Sequence, residues 1–279
     1  MQSAGPSRTA RAAAFHRAAH QTLEHGSIFT DPLALPILGE DGKAIDPEAE
    51  QQPSRRRMRI FIAARTRFAE DALAAAAERG ARQLVILGAG LDTYAYRGAL
   101  RDRLRIFELD HADTQAWKRQ RLREAAIPLP ASLTFVPVDF ERETLAGGLQ
   151  AAGFDASQQT FFTWLGVVPY LTAEAVWGTL GFVASLSNGA HVVFDYSNPP
   201  TSLRPEERVR HERRAAHVAE LGEPFTGYFE PAPLAAKLRE LGFCEVEDLG
   251  PRQIAARYFP GRAAPAESGG HILRAATIG

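Results

Sequence analysis

Apolar positions along the chain fall into short runs, bounded by glycine, proline or acidic residues, and the runs alternate with segments whose apolar residues recur at helical spacing. The runs predict strands at 83–87, 105–109, 133–138, 160–165, 190–196, 243–249 and 272–276. Helical spacing predicts helices at 112–126, 145–152, 173–187 and 231–241. Upstream, residues 9–24 are rich in Ala and Arg and predict a helix. Pro32 then favours a turn or a new helix start, and 39–53 reads as a loop. Ile60, Ala64, Phe68 and Leu73 place an apolar stripe on a helix over 55–79, with Gly80 as its C-cap. Strand–helix alternation of this kind specifies an α/β fold: a mostly parallel sheet of seven strands with helices on both faces.

One segment breaks the alternation. Residues 198–229 are polar, rich in Arg and Glu, and carry Pro199, Pro200 and Pro205. An insertion after a strand's carboxyl end predicts a helical lid over a ligand crevice. The expectation is a single domain over 1–279, with an N-terminal helical cap at 1–60 and the lid at 198–229.

The most informative stretch is the exit from the first strand. The run Leu84 to Leu87 breaks at Gly88-Ala89-Gly90, where a missing Cβ lets backbone approach a ligand. The next strand ends in acids, Glu108 and Asp110. A glycine turn followed by a strand-end acid is how an open sheet holds a nucleoside, with the acid on the ribose hydroxyls. Glu108 and Asp110 share one face of the strand, and the strand-end position favours Asp110 for the ribose. A dinucleotide turn wants a third glycine where this chain has Thr93, which argues against a nicotinamide-dependent oxidoreductase. S-adenosylmethionine carries no phosphate. It needs a glycine turn, a ribose acid, a group near the adenine and a partner for its carboxylate. Gly88 and Gly90, Asp110, Asp139, and either Arg65 or Arg67 supply that set.

The segments Arg65-Thr66-Arg67, Leu87-Gly-Ala-Gly-Leu-Asp-Thr93, Tyr96-Arg97, Phe107-Glu-Leu-Asp110, Val138-Asp-Phe140 and Gly166-Val-Val-Pro-Tyr-Leu171 resemble the leucine carboxyl methyltransferase family. The likeness is closer to its bacterial branch, which includes O-methyltransferases of polyketide biosynthesis. The resemblance implies a Rossmann-like class I methyltransferase fold with the last strand antiparallel, and S-adenosylmethionine as cofactor. It implies that Arg65 pairs with the cofactor carboxylate, a charge-assisted contact. Gly88, Ala89 and Gly90 would lie under the methionine part, Asp110 would take the ribose, and Asp139 with Phe140 would read the adenine end. The chain departs from the family in one place: Leu165 stands where the family often has Glu, and Trp164 just before it could stack or pack instead.

Composition narrows the partners. The formal net charge of −1 gives no basic field for nucleic acid or an anionic membrane. The single Cys244 allows no internal disulfide, fits a reducing compartment, and reads as a buried structural thiol in an apparent strand. No apolar run is long enough to span a bilayer and no signal-peptide segment is evident, so a cytoplasmic location is expected. His16 and His20, four apart, lack the Glu of a zinc helix and read as an amphipathic face, so no metal site is expected. The acceptor is expected to be a small or medium molecule offering a carboxylate or hydroxyl. A carboxylate needs no base; for a hydroxyl the strand-end candidates are Tyr170, Tyr196 and His111. A protein C-terminal carboxylate and a non-catalytic cofactor-binding regulator are the competing readings.

Overall fold

The computed structural model describes residues 7–138, 143–220, 222, 224–259 and 269–278. Among the described residues, seven strands, β1 (Gln83–Leu87), β2 (Arg105–Asp110), β3 (Leu133–Pro137), β4 (Thr160–Trp164), β5 (Ala190–Ser197), β6 (Glu245–Leu249) and β7 (Gly270–Ala276), lie in the order β3-β2-β1-β4-β5-β7-β6, a mixed, Rossmann-like sheet. The chain divides into two compact units, Met1–Asp155 and Ala156–Gly279.

The first unit opens with α1 (Arg8–Leu23), started by the Ser7 hydroxyl, which accepts from the Ala10 amide at 3.1 Å. Short helices α2 (Ala34–Leu38) and α3 (Pro47–Glu50) flank a 3-10 turn at Gly39–Ala44. The segment read as a loop over 39–53 therefore contains helical turns; Asp46, capping α3 just before Pro47, is the local signal for one of them. The long α4 (Pro53–Glu78) buries Ile62, Phe68, Leu73 and Ala76. Then follow β1 (Gln83–Leu87), α5 (Tyr94–Arg97), β2 (Arg105–Asp110), α6 (Ala112–Glu124), β3 (Leu133–Pro137) and α7 (Leu145–Ala151). All of β1 is buried. It pairs in parallel with β2, Leu87 opposite Leu109, and β2 pairs in parallel with β3, Asp110 opposite Pro137.

The second unit runs β4 (Thr160–Trp164), α8 (Ala173–Ala184), β5 (Ala190–Ser197), α9 (Pro205–Glu220), α10 (Pro231–Glu240), β6 (Glu245–Leu249), α11 (Pro251–Tyr258) and β7 (Gly270–Ala276). β4 and β5 are parallel, whereas β7 runs antiparallel to both β5 and β6. The insertion expected at 198–229 holds α9, and α11 is a helix the sequence reading did not anticipate. Cys244 corrects another expectation. It is exposed, because β6 is the edge strand and begins one residue later, and its thiol reaches only the Ala276 carbonyl at 3.3 Å.

Candidate functional site

The turn after β1 is held from two sides. Gly88 and Gly90 both adopt positive φ, +63° and +44°. The Ala89 amide donates to the Leu109 carbonyl at 2.9 Å, continuing the β1–β2 ladder into the turn. A Cβ on Gly90 would sit 2.9 Å from the Ala10 Cβ of α1, so this glycine is demanded by the N-terminal helix as well as by its φ. The Gly90 amide donates to Asp110 Oδ2 at 2.6 Å, and the His111 amide donates to Asp110 Oδ1 at 2.7 Å. Burial raises the Asp110 pKa, with those two amides pulling the other way. The Thr114 side chain also bonds this carboxylate, which is partly exposed and, with about four lone-pair sites, can still accept a further donor. Asp92 accepts from the Tyr94 amide at 2.7 Å, at the start of α5.

Glu108, two residues before Asp110, has the opposite surroundings. It is fully buried, with Lys118 Nζ at 2.7 Å and the Tyr96 hydroxyl donating to it at 3.2 Å. Burial pushes its pKa up to about 7, with Lys118 opposing the rise. Of the two acids sharing the face, the interior one is a buried ion pair and the strand-end one holds the turn.

The two upstream arginines also separate. Arg65 is 8% exposed and lies 5.9 Å from the Phe61 ring, whereas Arg67 is exposed and pairs with Asp71 at 2.8 Å. Thr93 and Arg97 turn toward the N-terminal segment. Thr93 Oγ1 donates to Asp31 Oδ2 at 2.7 Å and accepts from Arg97 Nε at 2.9 Å. Arg97 Nε lies 3.2 Å from Asp31 Oδ1, and its Nη1 donates to Glu70 at 3.2 Å. Arg17 of α1 donates to the Leu91 carbonyl, with its Nε 3.5 Å from the same Asp31. Sequence reading missed Asp31 and Arg17. A second buried cluster joins the same segment to α4: Arg59 bonds Glu24 at 2.7 Å and Glu50 at 2.9 Å, and Glu24 meets His20 at 3.2 Å. His20, read as part of an amphipathic face, is thus a fully buried partner of Glu24.

In the second unit, Trp164 is 3% exposed and meets Phe194 edge-on at 6.2 Å between ring centres. Leu165, where the family often has Glu, is half-buried. The next amide, Gly166, donates to Asp195 Oδ1 at 2.6 Å. Tyr196 is buried, its hydroxyl donating to Asp248 at 2.5 Å beside His271 Nδ1 at 3.2 Å. Burial, then Asp248, drives its pKa upward, which tells against Tyr196 as a base. His111, in the first unit, is exposed, and its Nδ1 accepts from the Asp113 amide at 3.4 Å to cap α6. Tyr170 is half-buried and packs in a tilted arrangement 5.3 Å from Phe225, which in turn stacks at 6.0 Å on His211 of α9. His211 Nε2 lies 2.8 Å from the Tyr228 hydroxyl. His211, Phe225 and Tyr228 were not singled out from sequence, although an aromatic run, Phe225-Thr-Gly-Tyr-Phe229, inside a polar insertion marks the place. Asp139 and Phe140 lie outside the described residues. Among the described residues, no group of three or more His, Cys, Asp or Glu side chains is placed to hold a metal, and no helix is long and apolar enough to cross a membrane.

The profile of the family described as leucine carboxyl methyltransferase matches residues 10–184. A Bacillus subtilis protein named "Putative S-adenosyl-L-methionine-dependent methyltransferase YktD" is 34% identical over 203 residues, covering 71% of this chain and 66% of that protein. A Mycobacterium avium protein of like name is 33% identical over 251 residues, covering 86% of this chain and 76% of the relative. The chain spans 66% and 61% of the length of two of the curated relatives it matches. Among solved structures, a Nostoc punctiforme protein named "putative O-methyltransferase" superposes with a TM-score of 0.50 at 10% identity, covering 95% of this chain and 72% of that one. At that identity the likeness is one of fold.

Proposed function

Because this chain belongs to the leucine carboxyl methyltransferase family of S-adenosylmethionine-dependent methyltransferases, we propose that it transfers the methyl group to an oxygen, the carboxylate or hydroxyl of a small molecule such as a polyketide or another secondary metabolite. The observation that carries the reading is Asp110, a partly exposed carboxylate at the carboxyl end of β2 that already fixes the glycine turn through the Gly90 amide.

The residues of this turn fit the cofactor. Asp110 retains lone pairs for ribose hydroxyls, and those donors would ease a carboxylate that burial disfavours. Gly88, Ala89 and Gly90 would present backbone to the methionine part, and Arg65 would meet its carboxylate as a charge-assisted pair. Asp139 and Phe140 are assigned the adenine end. Trp164, at the end of β4, would act as packed support rather than as a stacking plate, given its burial. When bound, the cofactor supplies a methyl already activated on a sulfonium. What remains for the chain is to orient an acceptor in line and exclude water, and positioning alone can contribute about 7–11 kcal/mol.

Calorimetry with S-adenosylhomocysteine tests the cofactor half. Binding is expected for the wild type, with a loss of roughly tenfold or more in Asp110→Ala, since ~1–3 kcal/mol follows from unpaired ribose donors. Unchanged affinity in that variant would remove Asp110 from the site, and heat with NAD alone would replace the cofactor. Label transfer from S-adenosylmethionine to small-molecule extracts, followed by alkali, tests the acceptor half. Volatile methanol means an ester and a stable label means an ether. The family description favours one second reading, a protein C-terminal carboxyl acceptor. Label that is released by alkali from the protein fraction would select it.

A further inference from the structure

The second unit carries a cluster outside the residues assigned above to the cofactor. The segment 225–229 is tied at both ends. The Thr226 and Gly227 amides donate to the Pro169 carbonyl at 2.9 and 3.0 Å, in the turn after β4. The Phe229 amide donates to the Ser197 carbonyl at 3.1 Å, at the end of β5, and Tyr228 bridges Ser197 in parallel. Gly227 is required there, since a Cβ would come 2.2 Å from the Val168 carbonyl. This anchoring sets Tyr228 and Tyr170 at the carboxyl edge of two parallel strands, the edge where open α/β sheets take ligands.

His211, Phe225, Tyr228 and Tyr170 are all half-buried, so their rings remain partly open. Among the described residues, the groups that act on His211 are Tyr228 and Phe225 from the anchored segment, and Glu212 and Arg214 on its own helix. Burial, then Arg214, lowers the His211 pKa against the opposing pull of Glu212, so its imidazole is neutral at neutral pH. Burial raises the Tyr228 pKa, so its phenol stays protonated. A neutral imidazole 2.8 Å from a protonated phenol is a proton acceptor with a hydroxyl in front of it.

We propose that Tyr228 and His211 form a proton relay for a phenolic acceptor, whose ring packs among Tyr170, Phe225 and Tyr228. This rests on the methyltransferase reading above and names the acceptor class for it. The acceptor O–H donates its proton to Tyr228 Oη, which passes its own to His211 Nε2. The acceptor oxygen forms the new O–CH3 bond while the S–CH3 bond breaks and its electron pair stays on sulfur. The sulfonium's positive charge thus ends as imidazolium, which returns its proton to water. A carboxylate acceptor would need none of this.

The test uses the full chain and a panel of para-substituted phenols of graded acidity. Tyr228→Phe keeps the ring and its packing, so melting temperature should fall by only about 2–4 °C and S-adenosylhomocysteine affinity should hold. Turnover should fall on the order of 100-fold, with weakly acidic phenols losing more than acidic ones. His211→Gln should remove the acidic limb of the pH–rate profile, and a histidine resonance titrating below the ordinary value should vanish with it. Full activity in Tyr228→Phe, a loss uniform across phenol acidity, or transfer only to carboxylates would overturn the relay while leaving the methyltransferase reading intact. Absence of cofactor binding in the wild type would instead sink that reading, and the relay with it.

Discussion

The turn after β1 and the turn after β4 use one device in two chemical settings. In each, a strand ends in a glycine of positive φ, Gly88 at +63° and Gly166 at +75°, and an aspartate from the neighbouring strand accepts a turn amide at 2.6 Å. Asp110 serves the first and Asp195 the second. Around the first the wrapping is ionic: Arg17, Asp31, Thr93, Arg97 and Glu70 bind the N-terminal segment to the turn. Around the second it is aromatic: Tyr170, Phe225, His211 and Tyr228. The ionic wrapping is buried and interdependent, whereas the aromatic one is half-open. Rigidity would serve a site that grips one invariant cofactor, and partial openness would serve one that admits an acceptor.

Breaking the ionic wrapping should have the largest effect. Arg97→Ala removes the guanidinium between Asp31, 1% exposed, and Glu70, and leaves buried carboxylates without their main partner. Losing one member of a buried pair costs about 3–5 kcal/mol. In urea unfolding, Tyr228→Phe should cost only about 1 kcal/mol, one hydroxyl's hydrogen bond. Equal shifts for the two variants would erase the contrast between the turns.

That contrast also divides what the sequence discloses from what it conceals. The strands are legible because their apolar runs are local, and parity alone puts Glu108 and Asp110 on one face. Whether each acid is buried depends on Lys118, ten residues on across a strand–helix turn, which no spacing rule assigns to Glu108. Thr93 and Arg97 stand out as a motif, yet their partner Asp31 is 62 and 66 residues upstream, so the motif looks like ligand chemistry when its contacts are with the N-terminal segment. The aromatic cluster is hidden for a different reason. Its members come from the turn after β4, from α9 and from the anchored segment, and only folding brings them together. Cys244 misleads because β6 is an edge strand, and its apolar neighbour Phe243 looks the same in an interior one.

A smaller effect tests how tightly α1 constrains the first turn. Gly90→Ala puts a methyl 2.9 Å from the Ala10 Cβ at a φ of +44°. Overpacking of this kind costs about 1–3 kcal/mol, read as a lower melting temperature. Ala10→Gly alone should cost up to ~1 kcal/mol through helix propensity. Combined with Gly90→Ala it should recover part of the loss, because the steric contact is gone and only the φ strain remains. Strictly additive losses would mean that α1 does not constrain Gly90, and that the turn's glycine is needed for its backbone conformation alone.

The smallest effect is a slope in pH, and its sign separates the two settings. Glu108 titrates near 7 in the folded chain, above the ordinary 4.5, because burial disfavours its charge. A raised carboxyl binds its proton more tightly folded than unfolded, so its contribution is fully present below 4.5 and is lost as pH rises toward about 7. His211 in the aromatic setting, and His20 of α1, are lowered from 6.5 chiefly by burial, so they weaken the fold only as pH falls below that value. Comparing wild type with Glu108→Gln at each pH cancels both histidines. The wild type should lose stability relative to the variant between pH 5 and pH 7.5, even though the variant starts lower with Lys118 left in the core. Parallel stability–pH curves would mean that Glu108 stays ionised throughout, and that Lys118 outweighs the burial of the acid.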